Sequence, residues 1–290
     1  MRKPSILQKV LTHSITRMFA GLIIIGFVLY AVQLPFKSWF ASIVSQTESV
    51  DFLIEVTTAV TALIAYVILY RWYERRPITE LSFHKAWRYI LIGLITGFGL
   101  QTLVILVLYI AGGYTVSGVH PIGFVIPSLG IAIGSAFVEE IIFRGIVFRL
   151  MEEQLGSILS LIVSALLFGI MHLGNKGATL YSAVSIALQA GILLAAGYIL
   201  TRSLWLPISL HFAWNFAESG IFGALLSGND IGKSLLSAKL SGNDLFSGGV
   251  FGPENSIQAN IFCLSAGAVF LVYAYKKKRF ISPIWKRNSS

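Results

Sequence analysis

The chain has 290 residues, of which 56% are hydrophobic and 12% are charged, and its mean hydropathy is +0.77. A soluble domain carries about 25% charged residues, so this composition excludes an ordinary soluble globular protein. The formal net charge of +9 does not indicate nucleic-acid binding, because the basic residues flank apolar runs and form no patch interleaved with aromatic residues.

The predicted elements are successive apolar runs of about 20 residues, the length that crosses a hydrocarbon core of roughly 30 Å. They predict an all-α polytopic membrane protein, because they are too long and continuous for the alternating strands of a membrane barrel. We predict about eight transmembrane helices, over residues 18–36, 52–70, 89–111, 122–148, 157–172, 178–200, 204–226 and 256–275.

The distribution of positive charge predicts the orientation. Of the 22 Lys and Arg residues, 17 fall on the side of both termini, four fall on the other side, and Arg144 lies inside a helix. The side richer in Lys and Arg faces the cytoplasm, so both termini are predicted to be cytoplasmic. The predicted parts are a cytoplasmic segment (1–17), a single membrane domain (18–275) and a basic cytoplasmic tail (276–290) that favours anionic lipids.

The connection between the last two helices, residues 227–255, is long and rich in Gly, Ser and Asn. It repeats the pattern LSGND at 226–230 and 240–244. We interpret it as a solvated loop on the outer side, and a lid over a cavity is the alternative.

The fourth helix contains the stretch GSAFVEEIIFRGIVF, residues 134–148, with three ionisable side chains. Each charge near the centre of a membrane helix costs about 2.5–3.5 kcal/mol unless it is compensated. Glu140 and Arg144 are four residues apart on one helix face, so we predict that they pair. Glu139 is turned by about 100° from Glu140 and remains a spare carboxylate that could act as a general base.

Two histidines lie on the following predicted helices. His172 ends the fifth helix, one turn after Phe168, and His211 lies in the seventh, one turn before Asn215. A lone histidine in a membrane often makes only an interhelical hydrogen bond. Together with Glu139, however, these intramembrane polar groups indicate a functional site.

One carboxylate, two imidazoles and one carboxamide suit the hydrolysis of an amide. Glu139, helped by His172, could remove a proton from the attacking water. His211 and Asn215 could donate hydrogen bonds to the developing oxyanion. The alternative is a zinc site formed by Glu139, His172 and His211, although the helical pattern H-E-x-x-H is absent. The residues alone leave a metal and a metal-free mechanism open.

Three short patterns occur in order on these helices. EEIIFR (Glu139–Arg144) matches E-E-x-x-x-R, FGIMH (Phe168–His172) matches F-x-x-x-H, and HFAWN (His211–Asn215) matches H-x-x-x-N. In this order they resemble the CPBP family of intramembrane proteases. That family comprises the type II CAAX prenyl endopeptidases and bacterial relatives associated with bacteriocin processing and immunity. The resemblance covers roughly residues 120–220, the predicted catalytic core.

The resemblance implies an intramembrane endopeptidase in which Glu139 and His172 activate water. It assigns the oxyanion to His211 and Asn215, and the supporting residues of the motifs are Glu140, Arg144 and Phe168. The family has been described both as metal-dependent and as glutamate-dependent, so a divalent metal such as zinc stays open.

The expected partners are a membrane-associated protein or peptide substrate, which is lipidated in one branch of the family, and anionic lipids. The short loops resemble bacterial members and predict a bacterial cell membrane. A non-catalytic scaffold or bacteriocin-immunity protein of the same fold is an alternative, and a proton-coupled transporter is another, although no inverted repeats are visible. Counting helical rise from the cytoplasmic helix ends predicts a cavity that faces the cytoplasm.

Overall fold

The computed structural model describes residues 5–44 and 47–287, and these residues are mostly helical. The ends of the predicted cytoplasmic segments, 1–4 and 288–290, lie outside the described residues. Within the described ranges, six helices are long and apolar enough to cross a membrane: Ser14–Ile43, Glu48–Tyr73, Ala86–Ile110, Ile122–Gly174, Leu180–Thr201 and Ile257–Lys276. The predicted all-α membrane class is therefore confirmed.

The individual elements are named in chain order. The helices are α1 (Ile6–Thr12), α2 (Ser14–Ile43), α3 (Thr47–Tyr73), α4 (Ala86–Ile110), α5 (Ile126–Glu140), α6 (Arg149–Met171), α7 (Leu180–Ile186), α8 (Ile192–Thr201), α9 (Trp205–Asn215), α10 (Asp244–Ser247), α11 (Ile257–Lys276) and α12 (Ile284–Arg287). The strands are β1 (Tyr114–Val119) and β2 (Leu236–Leu240). π-Helical stretches continue α5, α7 and α9 over Ile141–Phe148, Ala187–Gly191 and Phe216–Ile221.

The apolar stretch Ile122–Gly174 is broken at Gly156. Its 53 residues would form a helix of about 80 Å, far longer than one membrane crossing needs. Gly156 has φ 72° and ψ 172°, a conformation that favours glycine. A Cβ there would lie 2.7 Å from the carbonyl oxygen of Ile281, so the C-terminal segment packs into the break. The break lies between two of the predicted helices, 122–148 and 157–172.

The seventh predicted helix, 204–226, is shorter in the structure. Helix α9 with its π-helical continuation covers residues 205–221, and the chain then turns into the long connection. The predicted count of eight crossings and the cytoplasmic side of the termini stay predictions.

Ion pairs gather at the end of the bundle where the described residues begin and end, beside α1 and α12. Arg17 and Arg149 bind Glu74 at 3.0 and 2.9 Å, and Arg76 pairs with both Glu74 and Glu80. Burial alone would raise the pKa of Glu80, but the hydrogen bonds from Arg76 and Tyr66 and the positive charge of Arg76 together outweigh it, and the pKa lies below its usual value. These five charged residues belong to the side that the charge distribution predicts to be cytoplasmic.

The opposite end of the bundle is closed by a two-stranded antiparallel sheet. β1 pairs with β2 from Tyr114 opposite Leu240 to Val119 opposite Leu236. The Tyr114 hydroxyl donates to the carbonyl oxygen of Phe222 at 2.7 Å, and burial raises the pKa of Tyr114 to about 12. The segment 227–255 thus pairs through β2 with β1, which follows α4. Its interpretation as a simple solvated loop is wrong.

Small residues let α4 approach α9 closely. Gly97 is buried, and a Cβ added to it would lie 2.4 Å from the carbonyl oxygen of Leu210. Gly93, one turn earlier, faces the carbonyl oxygen of Leu206 in the same way, at 2.7 Å. Small residues at such contacts allow two helix backbones to pack in a membrane. Because Leu210 precedes His211, this contact fixes the position of a candidate site residue.

We expect the substitution Gly97→Ala to destabilise the protein, because its methyl group would push α9 away from α4. Overpacking of this kind costs about 1–3 kcal/mol. Gly99→Ala is the matched control, since Gly99 is exposed on the same helix and a Cβ there meets nothing within 4 Å. The measurement is thermal unfolding in detergent. Equal melting temperatures for the two variants would contradict this account of the packing.

Candidate active site

The first motif occupies the end of α5 and the π-helical stretch that follows it. Arg144 Nη1 lies 2.7 Å from Glu140 Oε1, and both side chains are almost fully buried. The predicted pairing of Glu140 with Arg144 is therefore confirmed.

Three further contacts compensate the buried guanidinium of Arg144. Its Nη2 donates to the carbonyl oxygens of Ala190 and Gly191, each at 3.2 Å. These carbonyls lie at the end of the second π-helical stretch. The hydrogen-bond pattern of the helix changes there, so that carbonyl oxygens can accept hydrogen bonds from a side chain. The guanidinium also lies 4.6 Å from the centre of the Phe168 ring, a cation–π distance.

Glu140 also binds His211, a contact that helical spacing does not reveal. His211 Nδ1 lies 3.0 Å from Glu140 Oε1, the same oxygen that faces Arg144. Since a carboxylate only accepts hydrogen bonds, Nδ1 is assigned as the donor. The other ring nitrogen, Nε2, is then the atom through which His211 can act.

His172 is oriented in a similar way by its own helix. Its Nδ1 lies 2.8 Å from the carbonyl oxygen of Phe168, so Nδ1 again carries the hydrogen. The Phe168 ring lies 4.8 Å from the His172 ring and 6.2 Å from the His211 ring. Phe168, predicted only as a supporting residue, therefore packs against both histidines and Arg144.

A cavity of about 480 Å³ brings the predicted residues together. The four predicted catalytic residues line it: Glu139, His172, His211 and Asn215. Glu139 Oε2 is buried and has no hydrogen-bond partner among the described residues. The spare carboxylate predicted from helical spacing thus lines the cavity, and its Oε2 atom is enclosed without a hydrogen-bond donor.

Several lining residues were not predicted. Asn215 Nδ2 donates to Ser135 Oγ at 3.0 Å, so Ser135 orients the carboxamide. Glu55 reaches the cavity from α3, and Gln189 reaches it from the second π-helical stretch. Of these three residues, only Ser135 had a local signal in the sequence. It lies four residues before Glu139, about one helical turn away.

Glu254 is a further lining residue, and it comes from the segment interpreted as a loop. Its Oε1 accepts a hydrogen bond from Ser227 at 2.6 Å, and its backbone N–H donates to Glu218 Oε1 at 3.1 Å. Burial raises the pKa of Glu254, and the hydrogen bond from Ser227 opposes this only in part. Ser227, Asn229 and Glu254 all line the cavity, as the alternative interpretation of this segment as a lid requires.

The lining shows towards which end of the bundle the cavity extends. Leu226, Ser227, Asn229 and Asn175 line it at the end of the bundle with the β-sheet, away from the ion-pair cluster. The predicted cytoplasmic termini and the predicted cytoplasm-facing cavity therefore cannot both hold. Counting helical rise per residue gives the depth of each side chain in the membrane. It does not show which end of the bundle is closed by packing between helices.

The residues do not form a metal site as they stand. Among the described residues, no three His, Cys, Asp or Glu side chains lie close enough together to hold a metal ion. Glu139, His172 and His211 share the cavity, but they do not stand close enough together to form a coordination shell.

Comparison with known proteins agrees with the motifs. Residues 121–217 match the family described as type II CAAX prenyl endopeptidase Rce1-like. The chain is also 35% identical over 78 residues to YdiL of Bacillus subtilis (strain 168), which is provisionally named a membrane peptidase. That match covers 27% of this chain and 30% of the relative. No solved structure matches the chain. These findings confirm the resemblance to the CPBP proteases and support a membrane protease.

We expect Arg144→Ala to destabilise the protein and to lower its activity, because it leaves Glu140 buried without its cation. Breaking a buried ion pair costs about 3–5 kcal/mol. Arg71→Ala, at an exposed position on α3, is the control. Thermal unfolding in detergent measures the effect, and the double variant Glu140→Ala/Arg144→Ala should recover part of the loss. Unchanged stability of Arg144→Ala would disprove the role of the pair.

Proposed function

We propose that this chain is an intramembrane endopeptidase of the CPBP family that hydrolyses a peptide bond of a membrane-associated substrate. The match of residues 121–217 to the type II CAAX prenyl endopeptidase Rce1-like family supports the proposal. One observation carries the proposal. Glu139, His172, His211 and Asn215 converge on one cavity within the helical bundle, although they come from α5, the end of α6, and α9.

The first chemical step is the activation of water. The Glu139 carboxylate, which lines the cavity, accepts a proton from the water, assisted by His172 Nε2, while the water oxygen attacks the carbonyl carbon. The Nδ1–H bond from His172 to the Phe168 carbonyl keeps Nε2 free to accept a hydrogen bond from that water. The carbonyl oxygen becomes an oxyanion.

The oxyanion is stabilised by donors from α9. The Nδ2 group of Asn215 has a second hydrogen beyond the one given to Ser135. His211 can donate from Nε2 when its ring is protonated, and Glu140 at 3.0 Å from Nδ1 stabilises that charged form. A single oxyanion donor contributes about 10²–10³-fold to the rate in enzymes of this chemistry.

Collapse of the intermediate completes the reaction. The carbon–nitrogen bond breaks, and the proton held by Glu139 passes to the leaving nitrogen, so that the carboxylate is restored. Glu140 and Arg144 act as positioning residues, since they hold the His211 ring and do not themselves face the reacting bond.

The environment of the protein is proposed on the same grounds. The chain would be an integral protein of a bacterial cell membrane, with a membrane-associated polypeptide as substrate. The basic residues at the end of α11 and directly after it, Lys276, Lys277, Lys278 and Arg279, would contact anionic lipids.

We expect Glu139→Gln to abolish peptide cleavage while the protein still inserts into membranes and folds. Loss of a general base costs about 10²–10⁴-fold in rate. The measurement compares new peptide termini, by mass spectrometry, in membrane proteins incubated with wild-type or variant protein. Glu153→Gln, a partly exposed position at the opposite end of the bundle from the cavity, is the control. Cleavage by Glu139→Gln at the wild-type rate would exclude Glu139 as the base and favour a non-catalytic protein.

We further expect cleavage to persist after treatment with a chelator, because no three His, Cys, Asp or Glu side chains among the described residues lie close enough together to hold a metal ion. The measurement is the cleavage rate of purified protein before and after dialysis against chelator, with metal content determined in parallel. Loss of activity that zinc restores would contradict the metal-free mechanism and would require Glu139, His172 and His211 to rearrange.

A further inference from the structure

The two ends of the bundle differ in how they are built. One end carries the ion pairs around Glu74 and Glu80, together with the C-terminal segment that packs into the break at Gly156. The other end carries the pairing of β1 with β2 and an ion pair between Lys233 and Glu48. The charge bias of 17 to four assigns the first end to the cytoplasm.

Apolar packing separates the cavity from the end with the termini. After Glu139 and Glu140, the chain runs through Ile141, Ile146 and Phe148, each of which is fully buried, before it reaches Arg149 in the ion-pair cluster.

Neighbouring helices add to this layer. Tyr66 of α3 and Tyr198 of α8 are buried in the same apolar cluster, and so are Leu204 and Ile208, which precede His211. Such a layer is packed like an organic crystal and leaves no route for a polypeptide.

A second cavity of about 680 Å³ adjoins the first at the opposite end. The two cavities share the lining residues Glu55, Ile131 and Ile231. The second cavity is otherwise lined by the far end of α2, including Gln33 and Lys37, by the start of α3, and by residues 230–233. Its charged lining residues include Lys37, Glu48, Asp51 and Lys233, and the Glu55 carboxylate lines both cavities.

We infer that the candidate active site is reached from the non-cytoplasmic side of the membrane, through the second cavity between α2, α3, α5 and residues 230–233. The substrate is then a segment of polypeptide that lies on that side, such as a translocated or membrane-anchored protein. A chain that remains in the cytoplasm cannot reach the site. The statement about the substrate rests on the proposed function, whereas the route of access does not.

Access can be tested with single cysteines in intact cells. Replacing Cys263, which is buried in the cavity lining, by serine removes the native thiol. Ile131→Cys then reports on the shared wall of the two cavities. Lys239→Cys in β2 and Lys277→Cys after α11 are exposed controls for the two ends of the bundle. Leu166→Cys, on the exposed apolar surface of α6, is the control for a thiol that faces lipid and not water. The reagent is a membrane-impermeant maleimide.

We expect Ile131→Cys and Lys239→Cys to be labelled in intact cells, Lys277→Cys to be labelled only after permeabilisation, and Leu166→Cys to stay unlabelled. Labelling of Ile131→Cys only after permeabilisation, or in neither condition while Lys239→Cys reacts, overturns the inference. Labelling of Lys277→Cys in intact cells also overturns it, because the termini would then lie outside.

The side of the substrate is tested with a peptide that the wild-type protein cleaves in detergent. Sealed spheroplasts should cleave this peptide when it is added outside, and spheroplasts with Glu139→Gln should not. Cleavage that requires broken spheroplasts overturns the inference about the substrate. If no peptide is cleaved even in detergent, the proposed function fails, and the labelling experiment still decides the route of access.

Discussion

One carboxylate oxygen holds the candidate site together. Glu140 Oε1 lies 2.7 Å from Arg144 Nη1 and 3.0 Å from His211 Nδ1, at a position without solvent exposure. A buried charge is tolerated only when it is paired and hydrogen-bonded. Arg144 meets this condition by reaching the carbonyls of Ala190 and Gly191, and His211 by donating its Nδ1 proton. The contacts therefore join the end of α5, the π-helical stretch after α7, and α9 at the level of the cavity.

The π-helical stretches serve this arrangement. Within the described residues, one begins directly after Glu140, one ends at Gly191, and one begins directly after Asn215. A π-helical turn inserts one residue and changes the direction of the side chains beyond it, and such turns are frequent at functional sites. Here each borders a residue that contacts Arg144 or lines the cavity. The deviation from regular helix lets buried polar groups on separate helices meet without breaking the bundle.

Local spacing could predict part of the site. The pairing of Glu140 with Arg144 follows from an i, i+4 spacing on one helix face, and the separate direction of Glu139 follows from the same geometry. The contact between Glu140 and His211 joins residues 71 positions apart, and no local pattern encodes it. Glu254 was missed for a related reason. It lies in a Gly-rich connection that becomes part of the cavity only because β1 pairs with β2 across the end of the bundle.

The fold could be predicted more completely than the cavity. Most apolar runs formed helices close to their predicted positions, because length and composition suffice for that in a membrane, although the seventh ends at residue 221. Which end of the bundle is open depends instead on packing between helices. Ile146, Phe148 and Leu204 look like ordinary membrane residues in the sequence, yet together they close the end with the termini. The motifs can thus specify the chemistry while the apolar residues around them decide from which side a substrate arrives, and the two properties can vary independently among proteins that share the motifs.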